Sequence, residues 1–259
     1  MFLFLKSLVI TWKAVFPIQD IKSYLAFRLV EPLIFYLFFA YMGAAILGTE
    51  YIQFIIIGNI LFVLVKNNIY NLLQMFRYEK FVGTLSLNVS YQSRMVFLLL
   101  HRSYISILDS TLLFLISGLY ARFVFGIEIP INKLGYLLIS ILILMITSVA
   151  LGLIIAAVSL LMKDANLLLN LAISVVQIMC GVNFPLTSFP YILQKISLFM
   201  PLTNGILGVR LILEAKEFTA YYPYLVKELI IGSALVLLAL LLIKVMEHFA
   251  KEKGVLFES

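Results

Sequence analysis

Long apolar runs, interrupted by charged or Gly/Pro-rich clusters, set the pattern of this chain. A helix that crosses a bilayer needs about 20 mostly apolar residues. Six runs meet that requirement: 28–48, 51–74, 95–120, 134–162, 166–184 and 226–247. The first opens on Glu31-Pro32 and ends at Gly48, and proline near the start of a run suits a helix N-terminus. The fourth is long enough to tilt or to project beyond the hydrocarbon. Residues 75–94 and 185–225 form the two longer connections.

The run from Ala165 to Gln194 carries no charge, yet it is broken by Gly181-Val-Asn-Phe-Pro185 and then by Pro190 and Pro201. Irregular backbone at membrane depth survives only where protein or a watery cavity satisfies its polar groups. The segment Phe184 to Met200, helical in pattern and bracketed by prolines, therefore predicts an external re-entrant hairpin within 185–225. A transport pathway explains such a feature better than a simple anchor. At the other end, Leu5, Leu8, Val9, Trp12 and Phe16 share one helical face and Lys6, Ser7 and Lys13 lie off it. That spacing makes residues 2–16 amphipathic and predicts an interfacial helix within 1–22 that lies in the headgroup layer, the alternative being a short helix packed on the protein. The expected fold class is an all-α integral membrane protein: one domain over 1–259 with six transmembrane helices, an N-terminal interfacial helix and an external re-entrant hairpin before the last helix.

Composition removes the soluble alternatives. Of 259 residues, 63% are hydrophobic and 12% charged, against roughly 25% charged in a soluble domain. No polar stretch is large enough for an energy-converting domain. The net charge of +6 flanks apolar spans, so it speaks for anionic lipid and orientation rather than nucleic acid. Lys6, Lys13, Lys22, Arg28, Arg77, Lys80, Arg94, Arg102, Lys163, Lys244, Lys251 and Lys253 fall on one side and fewer basic residues on the other, which predicts both termini in the cytoplasm. One cysteine, Cys180, excludes an internal disulfide. His101 and His248 have no ligand partners at metal-binding spacing. Phosphate-binding Gly-rich loops and nucleophile elbows are missing.

The second run is the most polar. Asn67, Asn71 and Gln74 share a face, with Asn59, Lys66 and Tyr70 beside it. A charge at mid-bilayer costs about 2.5–3.5 kcal/mol, so Lys66 must face protein or water. Either these residues line a substrate path, or they make helix–helix contacts, or Lys66 snorkels to the interface. Asp109 in the third run would neutralise Lys66. Glu31 lies one turn after Arg28 and is expected to pair with it. Arg210 is expected to bond broken backbone carbonyls or a lipid headgroup. Tyr104, Tyr120 and Tyr136 read as membrane-edge or packing aromatics. Residues 75–94 mix charge with Phe76, Tyr78, Phe81, Leu85 and Leu87, and suit either a short helix in a partner's groove or an interfacial loop.

Two motifs then stand out: Glu79…Gly83-Thr84-Leu85 between the second and third runs, and Gly181…Phe184-Pro185…Pro190…Ile196…Pro201…Arg210 before the last. In this the chain resembles the type-2 ABC exporter permeases, membrane subunits of ATP-driven export systems. It departs at Ser86, where the family often has Glu, and at Val89-Ser90, where a Ser-Pro usually follows. The resemblance implies a pathway formed by two permease chains, identical or closely related, and driven by two copies of an ABC ATPase. ATP and Mg would bind on that ATPase, and this chain would bind no cofactor. The ATPases would dock on 1–22 and 77–93, with Arg77, Glu79, Lys80, Gly83, Thr84 and Leu85 as coupling residues. Gly181, Phe184, Pro185, Pro190, Pro201 and Arg210 would form an external gate. Asn59, Lys66, Asn67, Tyr70 and Asn71 are the pathway candidates, from their polarity alone.

The expected activity is export of an amphipathic substrate (drug, lipid, peptide or glycoconjugate) across a bacterial or archaeal cell membrane by alternating access. The chain itself would not be an enzyme. Its rivals are an ion- or proton-coupled carrier using Lys66 and Asp109, and a non-transporting immunity or assembly protein.

Overall fold

The computed structural model describes residues 20–82, 95–159 and 165–253, with side chains left aside at 21, 76, 79–82, 95–102, 165 and 246–253. The interfacial helix expected over 1–22 lies outside these residues apart from its last three positions. Among the described residues there is helix and no strand. The helices are α1 (Ile21–Leu47), α2 (Ile52–Val82), α3 (Met95–Phe123), α4 (Leu134–Ser159), α5 (Ala165–Met179), α6 (Tyr191–Ser197), α7 (Thr203–Leu213) and α8 (Phe218–Lys253). Short 3-10 turns at Thr49–Tyr51, Ile131–Lys133 and Leu186–Ser188 join them. Five are long and apolar enough to cross a membrane: α1, α2, α3, α4 and α8.

Several boundaries differ from the sequence reading, each for a local reason. α1 starts at Ile21 rather than 28, because Asp20 caps it. The Asp20 carboxylate accepts from the Ser23 amide at 3.1 Å, which satisfies one of the orphan donors of the first turn. Pro32 therefore sits inside the helix, where it withdraws the hydrogen bond owed to the Arg28 carbonyl. α2 does not stop at 74. No glycine or proline stands between Gly58 and Gly83, and the helix runs on to Val82, so residues 75–82 of the expected coupling segment continue a 31-residue rod. α8 begins at Phe218 instead of 226, with Pro223 in its second turn.

The fifth run differs most. It gives a helix of only 15 residues, Ala165–Met179. Gly181 closes it at φ 68°, a left-handed backbone natural to glycine and costly for other residues. A Cβ there would also press on the Leu186 side chain. The chain then leaves helical geometry through Val182–Pro185, makes the seven-residue α6 and enters α7.

The centre of the fold is α2, the most buried of the long helices, while α1 and α8 are the least. α2 packs on α1, α3, α4 and α7, and α4 in turn packs broadly on α8. Gly152 of α4 lets the backbones close up, since a Cβ there would lie 2.8 Å from Leu72 and 3.2 Å from the Ile69 Cα. α7 is held among α2, α4 and α8.

The Asp20 cap yields a pH-dependent expectation. Hydrogen bonds from the Ser23 side chain and amide hold the Asp20 carboxyl below its ordinary value of 3.8. A depressed folded-state pKa contributes stability above the ordinary value and loses it as pH falls through the lowered one. Protection of the Ser23 amide, taken against its intrinsic exchange rate, should therefore fall once pH drops below 3.8. In Asp20→Ala it should be low at every pH.

Candidate functional site

The N-terminal end of α7 is buried, while its C-cap Glu214 is exposed, so the backbone groups at its start must be satisfied from within the protein. Glu228 of α8, fully buried, reaches the N-terminal end. One carboxylate oxygen accepts from the Leu202 amide at 2.8 Å and the other from the Gly205 amide at 3.1 Å. This is a cap donated by another helix, with a carboxylate at the positive end of the helix dipole. Leu202, just ahead of α7, is held at φ 79°, a left-handed backbone that costs a leucine about 1–2 kcal/mol.

Arg210, near the other end of α7, is also buried. Its guanidinium donates to the carbonyls of Gly181 at 2.8 Å, Val182 at 2.9 Å and Phe54 at 2.9 Å. It lies over the Phe54 ring, 3.3 Å from the centroid. One side chain thus satisfies the broken end of α5 and ties it to the start of α2. Gly58 makes room, since a Cβ there would collide with the Val182 carbonyl and the guanidinium. Nearby, the Asn59 amide donates to Asn183 Oδ1 and to the Ile55 carbonyl, both at 2.8 Å. The Cys180 thiol points at the Pro201 carbonyl at 3.1 Å.

A second cluster surrounds Asp109, whose side chain is fully enclosed. It accepts from the Tyr24 hydroxyl, from Arg28 at 2.5 Å, from Asn67 at 2.7 Å and from Asn71 at 2.6 Å. Arg28 also donates to Asn67 Oδ1 at 2.9 Å, and Asn67 to Ser110 at 2.9 Å. From Ser110 and Ser106 the chain of bonds passes to Asn68 Oδ1, and from the Asn68 amide to Ser148 of α4. The network joins α1, α2, α3 and α4.

This corrects two expected pairs. Lys66 does not meet Asp109, and Glu31 does not meet Arg28. The partners are exchanged: Arg28 pairs with Asp109, and Lys66 Nζ lies 3.9 Å from Glu31. The cause is helical phase. Tyr24 and Arg28 stack at i, i+4 on the α1 face that meets α3, while Asn67 and Asn71 present the matching face of α2. Lys66 is one residue, about 100° of helical turn, away from Asn67. It points toward Glu31 instead.

The five pathway candidates therefore divide. Asn59, Asn67 and Asn71 are buried and engaged within the chain, and Tyr70 is 44% exposed. The Lys66 side chain is 35% exposed and that of Glu31 62%. Of the coupling candidates, Arg77 is exposed and donates to Asn166 at 2.7 Å, linking the ends of α2 and α5. Glu79 and Lys80 continue the α2 backbone, and Gly83, Thr84 and Leu85 lie outside the described residues. Among the gate candidates, Gly181 and Arg210 meet directly. Phe184 and Pro185 are half-buried, and Pro190 is exposed at the start of α6. Among the described residues no group of three acidic, His or Cys side chains could hold a metal ion.

Tyr120 of α3 donates to the Leu29 carbonyl at 2.8 Å, and Tyr136 packs against Phe218 and Tyr221. Glu228 escaped the sequence reading. Next to Lys227 at the start of an apolar run it looks like an interfacial charge, and nothing in the sequence joins it to residues 202–205.

The model of the ABC-2 type transporter family matches residues 7–213, which spans the polar network, the broken end of α5 and α7. The chain belongs to the ABC-2 type transporter family. It is the membrane component of an ABC transporter, a multi-pass permease without an ATPase motif of its own, and the family implies partnership with an ABC ATPase. No curated protein matches this permease.

Two mutational tests follow from the permease's buried charges. Arg210→Met leaves three carbonyls without their donor and should cost about 3 kcal/mol or more in equilibrium unfolding of the purified protein in mild detergent. Arg210→Lys should recover less than half, because an ammonium cannot span the fork. Asp109→Ala should cost about 3–5 kcal/mol by stranding Arg28, and Asp109→Leu combined with Arg28→Met should cost less than that single change. Additive losses in this pair would remove the network from the stability argument.

Proposed function

We propose that this permease exports an amphipathic molecule from the cytoplasm by ATP-driven alternating access. Two permease chains, identical or closely related, enclose the pathway. Two ABC ATPase subunits, carrying ATP and Mg, dock on the inner face at 1–22 and 77–93. Arg77, Glu79, Lys80, Gly83, Thr84 and Leu85 transmit their closure. Both termini are cytoplasmic, and the membrane is the cell membrane.

The observation that carries this reading is the family match together with the broken segment after α5. A 15-residue helix is too short to cross alone. The proposal completes the sixth crossing with Cys180–Pro185, and α6 and α7 return as the external re-entrant hairpin. Irregular backbone at that depth needs protein donors, which is the service Arg210 performs. Gly181, Phe184, Pro185, Pro190, Pro201 and Arg210 then act as the external gate. The rival proton-coupled carrier loses its residue pair, since Asp109 is saturated by four donors and Lys66 is not among them.

Affinity purification of the full chain from its own membranes should bring down an ABC ATPase. In the complex, substrate-coupled ATP hydrolysis should fall in Glu79→Ala and Gly83→Pro while the thermal stability of the permease is kept. A chain that purifies without a nucleotide-binding partner and still drives transport would defeat the reading.

A further inference from the structure

α5 is pinned to α2 at both of its ends, but the two pins differ. Beside the start of α2, the buried Arg210 guanidinium joins the Gly181 and Val182 carbonyls to that of Phe54. Asn59, also buried, adds its bond to Asn183 at 2.8 Å. At the far end the bond runs between exposed side chains, from Arg77 to Asn166 Oδ1 at 2.7 Å. Water competes for both groups there, so that bond opens at little cost, whereas opening the buried pin would strand carbonyls. Between the pins α5 is thinly covered. Along Asn166–Met179 only Leu169 and Val176 are buried. Few buried apolar contacts and an exposed hydrogen bond mark a segment of low local stability. The buried Gln177 Nε2 has no hydrogen-bond partner among the described residues, a penalty that a shift of the helix can relieve.

The chain just past α5 suits a pivot. Gly181 leaves helical geometry at φ 68°, so a bend there turns α5 without moving α7. Asn166 lies about 22 Å from that point along the helix, and a tilt of about 10° carries it about 4 Å from Arg77, beyond hydrogen-bond reach. We infer that α5 is a hinged strut that pivots at Gly181 on its pinned end, and that the Arg77–Asn166 hydrogen bond is the latch holding its other end against α2. Arg77 stands on the unbroken stretch of α2 that runs to Val82, so a load on the coupling segment reaches the latch directly. That load, and the opening that the swing would make toward the cytoplasm, rest on the export reading; the pivot and the latch require no ATPase.

The test uses the purified full chain in nanodiscs, diluted with unlabelled chain, and distances between pairs of spin labels. One pair, Leu167→Cys with Val245→Cys, reads the latched end of α5 against α8. The other, Ile178→Cys with Tyr222→Cys, reads the pivot end. All four positions are exposed, and the native Cys180 is buried. Arg77→Met and Asn166→Ala, both at exposed positions, should each raise the ratio of displaced to latched distances in the first pair about fivefold, the effect of losing one hydrogen bond. Asn166→Asp makes the bond charge-assisted and should lower that ratio. Gln177→Met should lower it too, by removing the unpartnered amide. The second pair should keep its distance in all four variants. A first pair unchanged in Arg77→Met and Asn166→Ala would overturn the hinged strut. So would equal shifts of both pairs, which would mean that α5 leaves α2 as a whole, or a Gln177→Met chain that opens as the latch variants do. Because no nucleotide enters these readouts, their failure leaves the ATPase co-purification result standing, and the reverse also holds.

Discussion

A helix that stops inside a membrane protein leaves carbonyls with no water to receive them, and the packing of α2, α5, α7 and α8 accommodates that fact. α5 ends at Met179, and the carbonyls beyond it belong to Arg210. The same guanidinium holds the first turn of α2 through Phe54. At the N-terminal end of α7, Glu228 of α8 accepts from the buried amides of Leu202 and Gly205. An eleven-residue helix with little stability of its own thus becomes the part that joins α2, α5 and α8. Its two charges never touch each other. Each is neutralised by backbone dipoles, which is how a buried ion avoids the desolvation cost that would otherwise exclude it.

The Asp109 network solves a different problem. Leucine-rich helices in lipid have little hydrophobic reason to choose one neighbour or one register. Asp109, Arg28, Asn67, Asn71 and Asn68 supply that choice, because a one-residue slip of α1 or α2 would strand a charge. The exchange of expected partners shows how sharply phase decides. Lys66 and Asn67 are adjacent in sequence, yet Asn67 joins the interior network and Lys66 turns to Glu31. Arg28 and Glu31, one turn apart on α1, separate in the same way. Asp109 is saturated within its network, while among the described residues the outer pair is longer, at 3.9 Å, and has no hydrogen bond.

The least covered long helices are α1 and α8. Lipid can cover Leu, Ile and Phe on either of them at no cost. Loads on the hairpin would reach α2 through Arg210 and α8 through Glu228, so the gate and the central helix would move as one body.

Much of this protein was legible in its residues. The apolar runs fixed an all-helical membrane fold, and the Gly/Pro cluster at 181–201 marked the place where helix gives way. Arg210 was expected to meet either broken carbonyls or a lipid headgroup, and it meets the carbonyls. The second run announced its polarity. Local chemistry sufficed for these readings, since each depends on neighbours along the chain. It also held the Asp20 cap and the unbroken stretch to Val82, signals that the apolar periodicity overshadowed. What no local pattern contains is which faces meet. Glu228 caps residues 23 and 26 positions away, Asp109 takes Arg28 from 81 positions away, and Asn59 finds Asn183 across 124. Those choices depend on the rotational phase of packed helices, where a turn of about 100° per residue decides whether a side chain builds the core or faces outward. Tertiary packing alone fixes that angle.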